Sequence, residues 1–297
     1  MLIDVRSPSE YAKGHIPSAK NIPLFSDEER AEVGTLYKQV GQQEAFDLGL
    51  KYVGGKLADF VAQARTYNQN LQLYCWRGGM RSQSMGWLFK TAGIECTIKE
   101  GGYKIYRQWV LQFLQQNFSF KVLTGLTGSG KTEKLQNLKQ NGESVLDLEG
   151  LANHRGSSFG MLGQKNQPSN EHFENLLADH LSKLSSPIWV EDESRMIGNC
   201  KIPDSIYAAM QQGEIVQISA SKKQRVQRLI TMYAHFPEKE LLAATDRLHK
   251  KLGSERTMAA KQAIVQGNFI DAVELILQYY DKAYESFSRK RSSCSCD

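Results

Sequence analysis

The sequence predicts an α/β protein with two parallel-sheet domains and a helical C-terminal region. Three observations lead to this fold class. Through the first third of the chain, short apolar runs alternate with helical patterns, which is typical of a parallel sheet. A strand, a glycine loop and a helix follow one another again from residue 119, and from residue 222 onward the pattern is helical. We therefore expect domains at residues 1–112 and 113–221, and a basic helical region at 222–297 that ends in a disordered tail.

The elements of the first domain can be placed in order along the chain. Apolar runs bounded by turn residues predict its strands, and segments with helical periodicity predict its helices. The order is a strand "LIDV", a turn "RSPSEYAKGHIPSAKNIP", helices in "DEERAEVGTLYKQV" and "KLADFVAQARTY", a strand "LQLYC", a helix to about residue 92 and a strand "ECTIKEGG".

The second domain follows the segment "QWVLQFLQQNF", which predicts a bridging helix because it contains no run of Gly, Pro or Ser. The strand "KVLT" leads into the glycine loop and its helix, and the strands "SVLDL" and "IWVE" come later. In the C-terminal region, "FIDAVELILQYYDKAYESF" is the clearest amphipathic helix.

Length and composition limit the class of protein. A chain of 297 residues, 41% hydrophobic and 23% charged, suits a globular protein of about two domains. No apolar run reaches the roughly 20 residues that span a bilayer, and the N-terminus lacks the pattern of a signal peptide, so we expect a cytoplasmic protein without membrane contact. Five scattered cysteines argue against a disulfide framework. The pair Cys294 and Cys296 in the tail is a weak candidate for a metal site.

The segment "YCWRGGMRSQ" places a cysteine between a strand and a helix that we expect to begin near Ser82. A helix N-terminus stabilises a thiolate and lowers its pKa, so Cys75 is a candidate nucleophile. Arg77 and Arg81 add positive charge, and the loop residues Gly78, Gly79 and Met80 can turn backbone N–H groups toward an anion. The alternative is a buried cysteine on an ordinary turn.

The segment "GLTGSGKT" satisfies the phosphate-binding pattern G-x-x-x-x-G-K-[ST] between a strand and a helix. Backbone N–H groups of such a loop surround phosphates, its lysine neutralises them, and its last hydroxyl can ligate Mg²⁺. The loop could hold a nucleotide or the diphosphate of another substrate. The candidate diphosphate-binding residues are Gly125, Thr127, Gly128, Ser129, Gly130, Lys131 and Thr132.

Two further segments provide candidate site residues in the second domain. In "DLEGLANHRGSSFG", His154 and Arg155 follow a strand and should lie at the carboxyl edge of the sheet, where α/β proteins bind ligands. The strand "IWVE" ends in Glu191, Asp192 and Glu193, where an acidic residue can help to hold Mg²⁺, and Asp192 is the candidate. An acidic strand end facing solvent is the alternative.

The net charge of +5 is a mild excess, and Lys and Arg concentrate in residues 221–261. This distribution is typical of a surface that follows a nucleic-acid backbone, and equally of a solvated helical face.

Three segments of the first domain resemble rhodanese domains. "DVRSPSEYAKGHIPSAKNIP" is similar to their N-terminal motif, "CWRGGMRS" to the active loop whose cysteine carries a persulfide, and "EGGYKIYRQW" to the closing glycine–aromatic motif. Because the chain begins at the strand that carries Asp4, we expect the first strand usual to these domains to be absent.

The order of the motifs resembles the family of bacterial tRNA 2-selenouridine synthases over nearly the whole chain. The resemblance implies an enzyme that attaches a geranyl group from geranyl diphosphate to wobble 2-thiouridine in tRNA and then replaces the geranylated sulfur with selenium from selenophosphate. It implies that Cys75 carries the selenium, that Arg77 and Arg81 stabilise anions, and that the P-loop holds geranyl diphosphate with Lys131 and Arg155 at the leaving diphosphate.

The same resemblance implies the partners. The anticodon arm of tRNA would bind the basic region from residue 221, and an enzyme that supplies selenophosphate is a further possible partner. No tightly bound cofactor is implied, and Mg²⁺ on Thr132 and Asp192 is compatible with the motifs without being required by them.

Two other functions fit part of the sequence. The spacing from Cys75 to Arg81 fits the loop of cysteine-dependent phosphatases, but no position identifies their general acid. A P-loop ATPase or kinase with a rhodanese-type sulfur-binding module would explain the second domain, but it would not need an intact Cys75 loop.

Overall fold

A computed structural model describes residues 1–293 of the chain, with side chains through residue 284. The chain forms two compact units. Unit 1 contains Met1–Leu114 and Glu171–Asp179, and unit 2 contains Gln115–Asn170 and the chain from His180 onward. Each unit has a parallel sheet, and helices fill the C-terminal region, so the predicted fold class is confirmed. Cys294 and Cys296 lie outside the described residues.

Unit 1 is built on four parallel strands in the order β2-β1-β3-β4. Apolar side chains from the sheet and from the helices packed on it form one buried cluster that includes Ile3, Leu73, Met85 and Phe89. The strands are β1 (Leu2–Asp4), β2 (Lys20–Asn21), β3 (Leu71–Tyr74) and β4 (Cys96–Ile98), and the helices are α1 (Pro8–Lys13), α2 (Asp27–Gln39), α3 (Gln42–Gly54), α4 (Leu57–Arg65), α5 (Met80–Thr91) and α6 (Gly102–Phe113).

Unit 1 differs from the sequence expectation in two places. The segment expected to be a turn contains α1 and β2, because Ser7 and Glu10 form a reciprocal capping box and Pro8 occupies the first helical turn. Helix α3 was not predicted, since glycines within it and at its C-terminal end are typical of turns rather than helices. Neither difference moves the strand and helix that flank Cys75.

Unit 2 contains a parallel sheet in the order β10-β5-β7-β6 and a short antiparallel pair, β8 with β9. Its strands are β5 (Phe120–Thr124), β6 (Val145–Leu146), β7 (Ile188–Glu191), β8 (Met196–Ile197), β9 (Cys200–Lys201) and β10 (Glu214–Gln217). The helices interspersed with them are α7 (Lys131–Gln140), α8 (Leu148–Ala152), α9 (Asn170–Leu181, of which Glu171–Asp179 belongs to unit 1) and α10 (Asp204–Gln212).

The C-terminal helices belong to the same unit as the glycine loop before α7. They are α11 (Lys222–Tyr233), α12 (Glu238–Asp246), α13 (His249–Leu252), α14 (Ser254–Val265) and α15 (Phe269–Ser293). Leu241, Ile264, Ala272 and Ile276 are among the buried residues that join α12, α14 and α15 in one apolar cluster. Within residues 1–293, no helix is both long enough and apolar enough to cross a membrane.

Candidate functional site

Cys75 lies between the end of β3 and the start of α5, as the sequence predicts. Helix α5 begins at Met80, two residues before the expected start, which puts Ser82 in the first turn. The Ser82 hydroxyl donates a hydrogen bond to the Cys75 sulfur at 3.4 Å, and both residues are buried. The thiol is therefore held in a fixed position at a helix N-terminus.

The surroundings of Cys75 favour its thiolate. Burial alone would raise the pKa of this thiol, but hydrogen bonds from the Ser82 side chain and backbone and from the Arg77 backbone, with the charge of Arg81, outweigh burial and lower it. The other buried thiols show the opposite balance, because burial raises the pKa of Cys96 and raises that of Cys200 to about 11. Among the described cysteines, only Cys75 is prepared to act as a nucleophile.

The two arginines predicted at this loop have different environments. Arg81 is mostly buried and forms an ion pair with Glu10, in which the guanidinium lies 2.6 Å from a carboxylate oxygen. Arg77 and Met80 are exposed. Arg77 is therefore accessible to an incoming anion, whereas the position of Arg81 is fixed by a partner that the sequence did not identify.

The glycine–aromatic motif "EGGYKIYRQW" is hydrogen-bonded to the Cys75 loop through its backbone. The backbone N–H of Tyr103 donates to the Cys75 carbonyl at 2.9 Å, and that of Lys104 donates to the Trp76 carbonyl at 2.8 Å. Gly102 adopts a φ of 58°, and a Cβ atom at this position would lie 2.3 Å from the Cys75 carbonyl oxygen. Only glycine fits here, which explains why this motif accompanies the cysteine loop.

In unit 2, the predicted P-loop connects β5 to α7. Gly128 and Gly130 adopt left-handed φ values of 79° and 93°, which L-residues with a side chain rarely adopt. The Lys131 ammonium donates to the Gly125 carbonyl at 2.8 Å and lies 3.4 Å from a Glu191 oxygen. The Ser129 hydroxyl is buried and has no hydrogen-bond partner among the described residues, so the loop retains an unused polar group.

Two arginines of α11 contact this P-loop. Arg225 is 3% exposed, donates to the Thr127 carbonyl at 2.8 Å and forms an ion pair with Asp281 at 2.5 Å. Arg228 donates to the Gly128 carbonyl at 3.2 Å. From the sequence, both arginines belong to a basic region that could face nucleic acid. In the structure they contact the P-loop, which lies about 100 residues earlier in the chain.

Three carboxylates, those of Glu149, Glu191 and Glu193, lie within 4.8 Å of one another beside the P-loop. Burial raises the pKa of each. Repulsion among the neighbouring carboxylates adds to this for Glu149, whose pKa rises to about 10, and for Glu193, whose pKa rises to about 8. The Thr132 hydroxyl donates to Glu191 at 3.3 Å.

The predicted acidic residue Asp192 has a different partner. Its carboxylate accepts a hydrogen bond from the Thr124 hydroxyl at 2.9 Å. The carboxylate hydrogen-bonded to Thr132 is therefore Glu191, the residue before the one that the sequence indicated. Successive side chains of a strand point in opposite directions, so neighbouring acidic residues at a strand end face different partners. The sequence pattern does not show which of them faces Thr132.

A cavity of about 510 Å³ adjoins the P-loop within unit 2. One part of its wall is polar and comes from the P-loop, the three glutamates and Arg155. The remainder is mainly apolar and comes from α11, α12, α14 and α15. The predicted residue His154 lies beside Arg155, where its ring packs against Gly160. The sequence identified the polar end of this cavity and gave no indication of its apolar walls.

Known proteins resemble the chain in both units. Residues 1–108 match the rhodanese-like domain family, and residues 118–296 match the family described as the tRNA 2-selenouridine synthase AAA domain. The predicted rhodanese-like and P-loop domains are thereby confirmed. A solved N-terminal domain from Clostridium difficile 630, of a protein described as ATP/GTP binding, is 45% identical, covers 37% of this chain and 88% of its own, and has a TM-score of 0.36, too low to carry an argument.

Curated relatives cover nearly the whole chain. The tRNA 2-selenouridine synthase of Pseudomonas fluorescens (strain Pf0-1) is 39% identical over 95% of this chain and 87% of its own length. The enzymes of the same name from Marinobacter nauticus and Shewanella denitrificans are 35% and 42% identical, over 96% and 85% of this chain and 87% and 70% of their own lengths. With a rhodanese-like domain in one unit and a P-loop in the other, the chain belongs to the tRNA 2-selenouridine synthase family of enzymes.

Proposed function

We propose that this protein converts wobble 2-thiouridine in tRNA to 2-selenouridine in two chemical steps, each carried by one unit. In the first step, the P-loop of unit 2 holds geranyl diphosphate and the base sulfur is geranylated. In the second step, selenium from selenophosphate replaces the geranylated sulfur with the help of Cys75. The names of the curated relatives support the overall reaction.

The observation that carries the first step is the apolar cavity beside the P-loop. Its volume of about 510 Å³ is within the roughly 300–1,000 Å³ of small-molecule sites. A nucleotide would place a polar base and ribose next to its diphosphate, and apolar walls would leave their polar groups without partners. An isoprenoid diphosphate combines an anion for the loop with a hydrocarbon chain for the cavity. The cavity therefore favours geranyl transfer over the ATPase or kinase alternative.

In geranyl transfer, the base sulfur forms a bond to the first carbon of the geranyl chain while the carbon–oxygen bond to diphosphate breaks, and the N3 proton of the base passes to water. Negative charge develops on the departing diphosphate, and cations and N–H groups near it lower the barrier. Lys131, Arg228 and Arg155 supply the charge, and the P-loop supplies N–H groups. The hydroxyl of Thr132 and the carboxylate of Glu191 form an oxygen donor set that suits Mg²⁺, which when bound would neutralise further diphosphate charge.

In the second step, alkylation has made the sulfur a good leaving group. A carbon–selenium bond forms at the base, and the carbon–sulfur bond breaks to release geranyl thiol. Cys75 acts without a change of oxidation state: its thiolate, which the environment favours, attacks the phosphorus of selenophosphate, and a sulfur–phosphorus bond forms as the selenium–phosphorus bond breaks. The released selenide attacks the base carbon, and water then hydrolyses the sulfur–phosphorus bond to release phosphate. Arg77 is exposed near this thiolate and can hold the phosphoryl group of selenophosphate, while Arg81 and the loop of Gly78, Gly79 and Met80 keep the local field positive.

The tRNA substrate needs a surface for its phosphates. Arg225 and Arg228 are committed to the P-loop, so phosphate contacts in this region fall to exposed residues such as Lys223, Lys250 and Lys251. The wobble base has to leave its stack to reach either site. The reaction would take place in the cytoplasm, with a selenophosphate-supplying enzyme as a further partner.

Mass spectrometry of nucleosides tests the whole proposal. Thiolated tRNA is incubated with the protein and geranyl diphosphate, with and without selenophosphate, and with ATP in a parallel reaction. We expect S-geranyl-2-thiouridine without selenophosphate and 2-selenouridine with it. Unchanged tRNA together with ATP hydrolysis would overturn the proposal and favour the ATPase alternative.

A further inference from the structure

The apolar cavity of unit 2 is lined along its length by one face of α15. Residues on this face recur at intervals of three and four, as one stripe of a helix requires. On another side of the same helix, Ile270 is 57% exposed. The residues of the stripe that line the cavity are Phe269, Ala272, Val273, Ile276, Leu277 and Tyr280.

Hydrogen bonds fix the C-terminal end of this stripe at the P-loop. The hydroxyl groups of Tyr284 and Thr124 lie 2.7 Å apart, and Thr124 is the last residue of β5 before the loop. Asp281 is paired with Arg225, which donates to the Thr127 carbonyl of the loop. With a helical rise of about 1.5 Å per residue, Phe269 lies about 18 Å from Asp281 along the axis. The cavity thus extends from a polar end at the P-loop to an apolar end far from it.

Well-buried side chains line the cavity, and Ala272 and Ile264 lie near the Phe269 end of α15. Ala272, Ile264 and Leu241 are 2%, 5% and 4% exposed, come from three different helices, and belong to one buried apolar cluster. All three line the cavity. Ala272 has the smallest side chain of the three, so a larger residue there would fill the far end and leave the P-loop contacts intact.

The geometry points to a length limit for the hydrocarbon chain: Ala272 and Ile264, at the far end of the cavity, set the longest isoprenoid diphosphate that the P-loop site accepts. This inference rests on the proposed geranyl transfer and extends it to substrate selection. The diphosphate is held at one end, so each additional isoprene unit must fit toward Ala272. A single methylene in an apolar pocket changes selectivity by about 10–200-fold, so small changes at these positions have measurable effects.

The test is a competition among three isoprenoid diphosphates. Thiolated tRNA is incubated with equal concentrations of dimethylallyl, geranyl and farnesyl diphosphate, and mass spectrometry measures the ratio of the S-prenylated nucleosides. We expect Ala272→Phe to lower the geranyl-to-dimethylallyl ratio at least about 10-fold, and Ile264→Ala to raise the farnesyl-to-geranyl ratio about 10-fold. Ile270→Phe, which places the same aromatic side chain on the exposed side of α15, serves as the control and should leave both ratios unchanged.

The possible results separate this inference from the function on which it rests. If the wild-type protein transfers geranyl but neither Ala272→Phe nor Ile264→Ala changes a ratio, the length limit is wrong and geranyl transfer stands. If the wild-type protein transfers no prenyl group, both fail. If thermal unfolding shows that Ala272→Phe does not fold, Ile264→Ala decides, because an unchanged farnesyl-to-geranyl ratio overturns the inference.

Discussion

The loop between β3 and α5 and the loop between β5 and α7 occupy the same place in a βα unit, but they treat negative charge differently. In unit 1, hydrogen bonds and an arginine lower the pKa of Cys75, so the protein stabilises an anion of its own. In unit 2, the groups beside the loop are carboxylates whose pKa is raised by burial, so they are held toward the protonated form.

This difference shows what decides the chemistry of a strand–loop–helix turn. Both loops precede a helix N-terminus, which attracts an anion. In unit 1, the Cys75 thiol itself occupies this field, which favours its thiolate and suits it to the nucleophilic role that we propose. In unit 2, Lys131 and Arg228 bring positive charge to the loop, and each also lies beside a carboxylate, that of Glu191 or Glu133. In the proposed function, a bound diphosphate takes up this positive charge and the adjoining apolar cavity selects the group attached to it. If this comparison is correct, each loop can be disabled without loss of the other's step.

The largest effect is expected at Cys75. Substituting Cys75→Ala should reduce selenium incorporation at least about 1,000-fold, because removing a catalytic nucleophile typically costs this much or more. Geranylation of thiolated tRNA should be unchanged. Cys96→Ala, which removes another buried thiol of unit 1 whose pKa is raised, is the matched control and should retain both steps. Nucleoside mass spectrometry measures both products. Equal loss of the two activities in Cys75→Ala would break the comparison.

A somewhat smaller loss is expected at the P-loop, and it should affect geranylation instead of selenium transfer. Lys131→Ala should slow geranylation about 100–1,000-fold, as expected for one group that stabilises developing negative charge. Selenium transfer to tRNA that already carries the geranyl group should continue. Lys134→Ala on the exposed side of α7 controls for the loss of a positive charge from the same helix. If Lys131→Ala also abolished selenium transfer to geranylated tRNA, the P-loop would serve both steps.

Ser82 tests how the unit 1 loop lowers the pKa of the thiol. Ser82→Ala removes a hydrogen bond to the Cys75 sulfur, so the pKa of Cys75 should rise and less thiolate should be present at neutral pH. We expect alkylation of Cys75 by iodoacetamide at pH 7 to slow about 3–10-fold, and its pH profile to shift upward. Ser84→Ala, at an exposed position of α5, should leave the profile in place. An unchanged profile in Ser82→Ala would mean that the other N–H groups and Arg81 suffice.

The sequence alone predicted the two loops that carry Cys75 and Lys131, together with the strand and helix on either side of each loop. Cys75 and Lys131 each follow a strand and precede a helix within a few residues, and such short-range patterns are carried by periodicity and glycine spacing. Helix α8 was not predicted, because five residues capped by Asp147 are too short for a periodic pattern. The domain sheets and the amphipathic face of α15 were also predictable from these patterns.

The remainder of the site depends on contacts between distant residues. Arg225 reaches Thr127 of the P-loop across 98 residues of sequence, and Asp281 pairs with Arg225 across 56. No local pattern indicates which of these charged residues lies at which loop. The stripe of α15 shows in the sequence that one face is buried. It cannot show whether neighbouring helices fill the space against that face or leave a cavity, because this depends on how side chains from several helices meet.

The smallest expected effect concerns the carboxylates beside the P-loop. The pKa of Glu193 is raised to about 8 in the folded protein, from an ordinary value of 4.5. Between these values the unfolded chain has lost the proton while the folded protein keeps it, so Glu193 makes the protein progressively less stable as pH rises from about 4.5 to 8. Glu193→Gln cannot ionise, and it should raise the unfolding temperature at pH 8 relative to wild type by about 2–5 °C.

At pH 5 the same substitution should have a much smaller effect, because Glu193 is protonated in the folded protein and partly protonated in the unfolded chain. Differential scanning calorimetry at the two pH values measures the difference, and Glu214→Gln at an exposed position of unit 2 controls for the loss of one negative charge. An equal change in unfolding temperature at pH 5 and pH 8 would mean that Glu193 is ionised in the folded protein. The P-loop cations would then be partly neutralised by the protein's own carboxylates, and the two loops would treat negative charge alike.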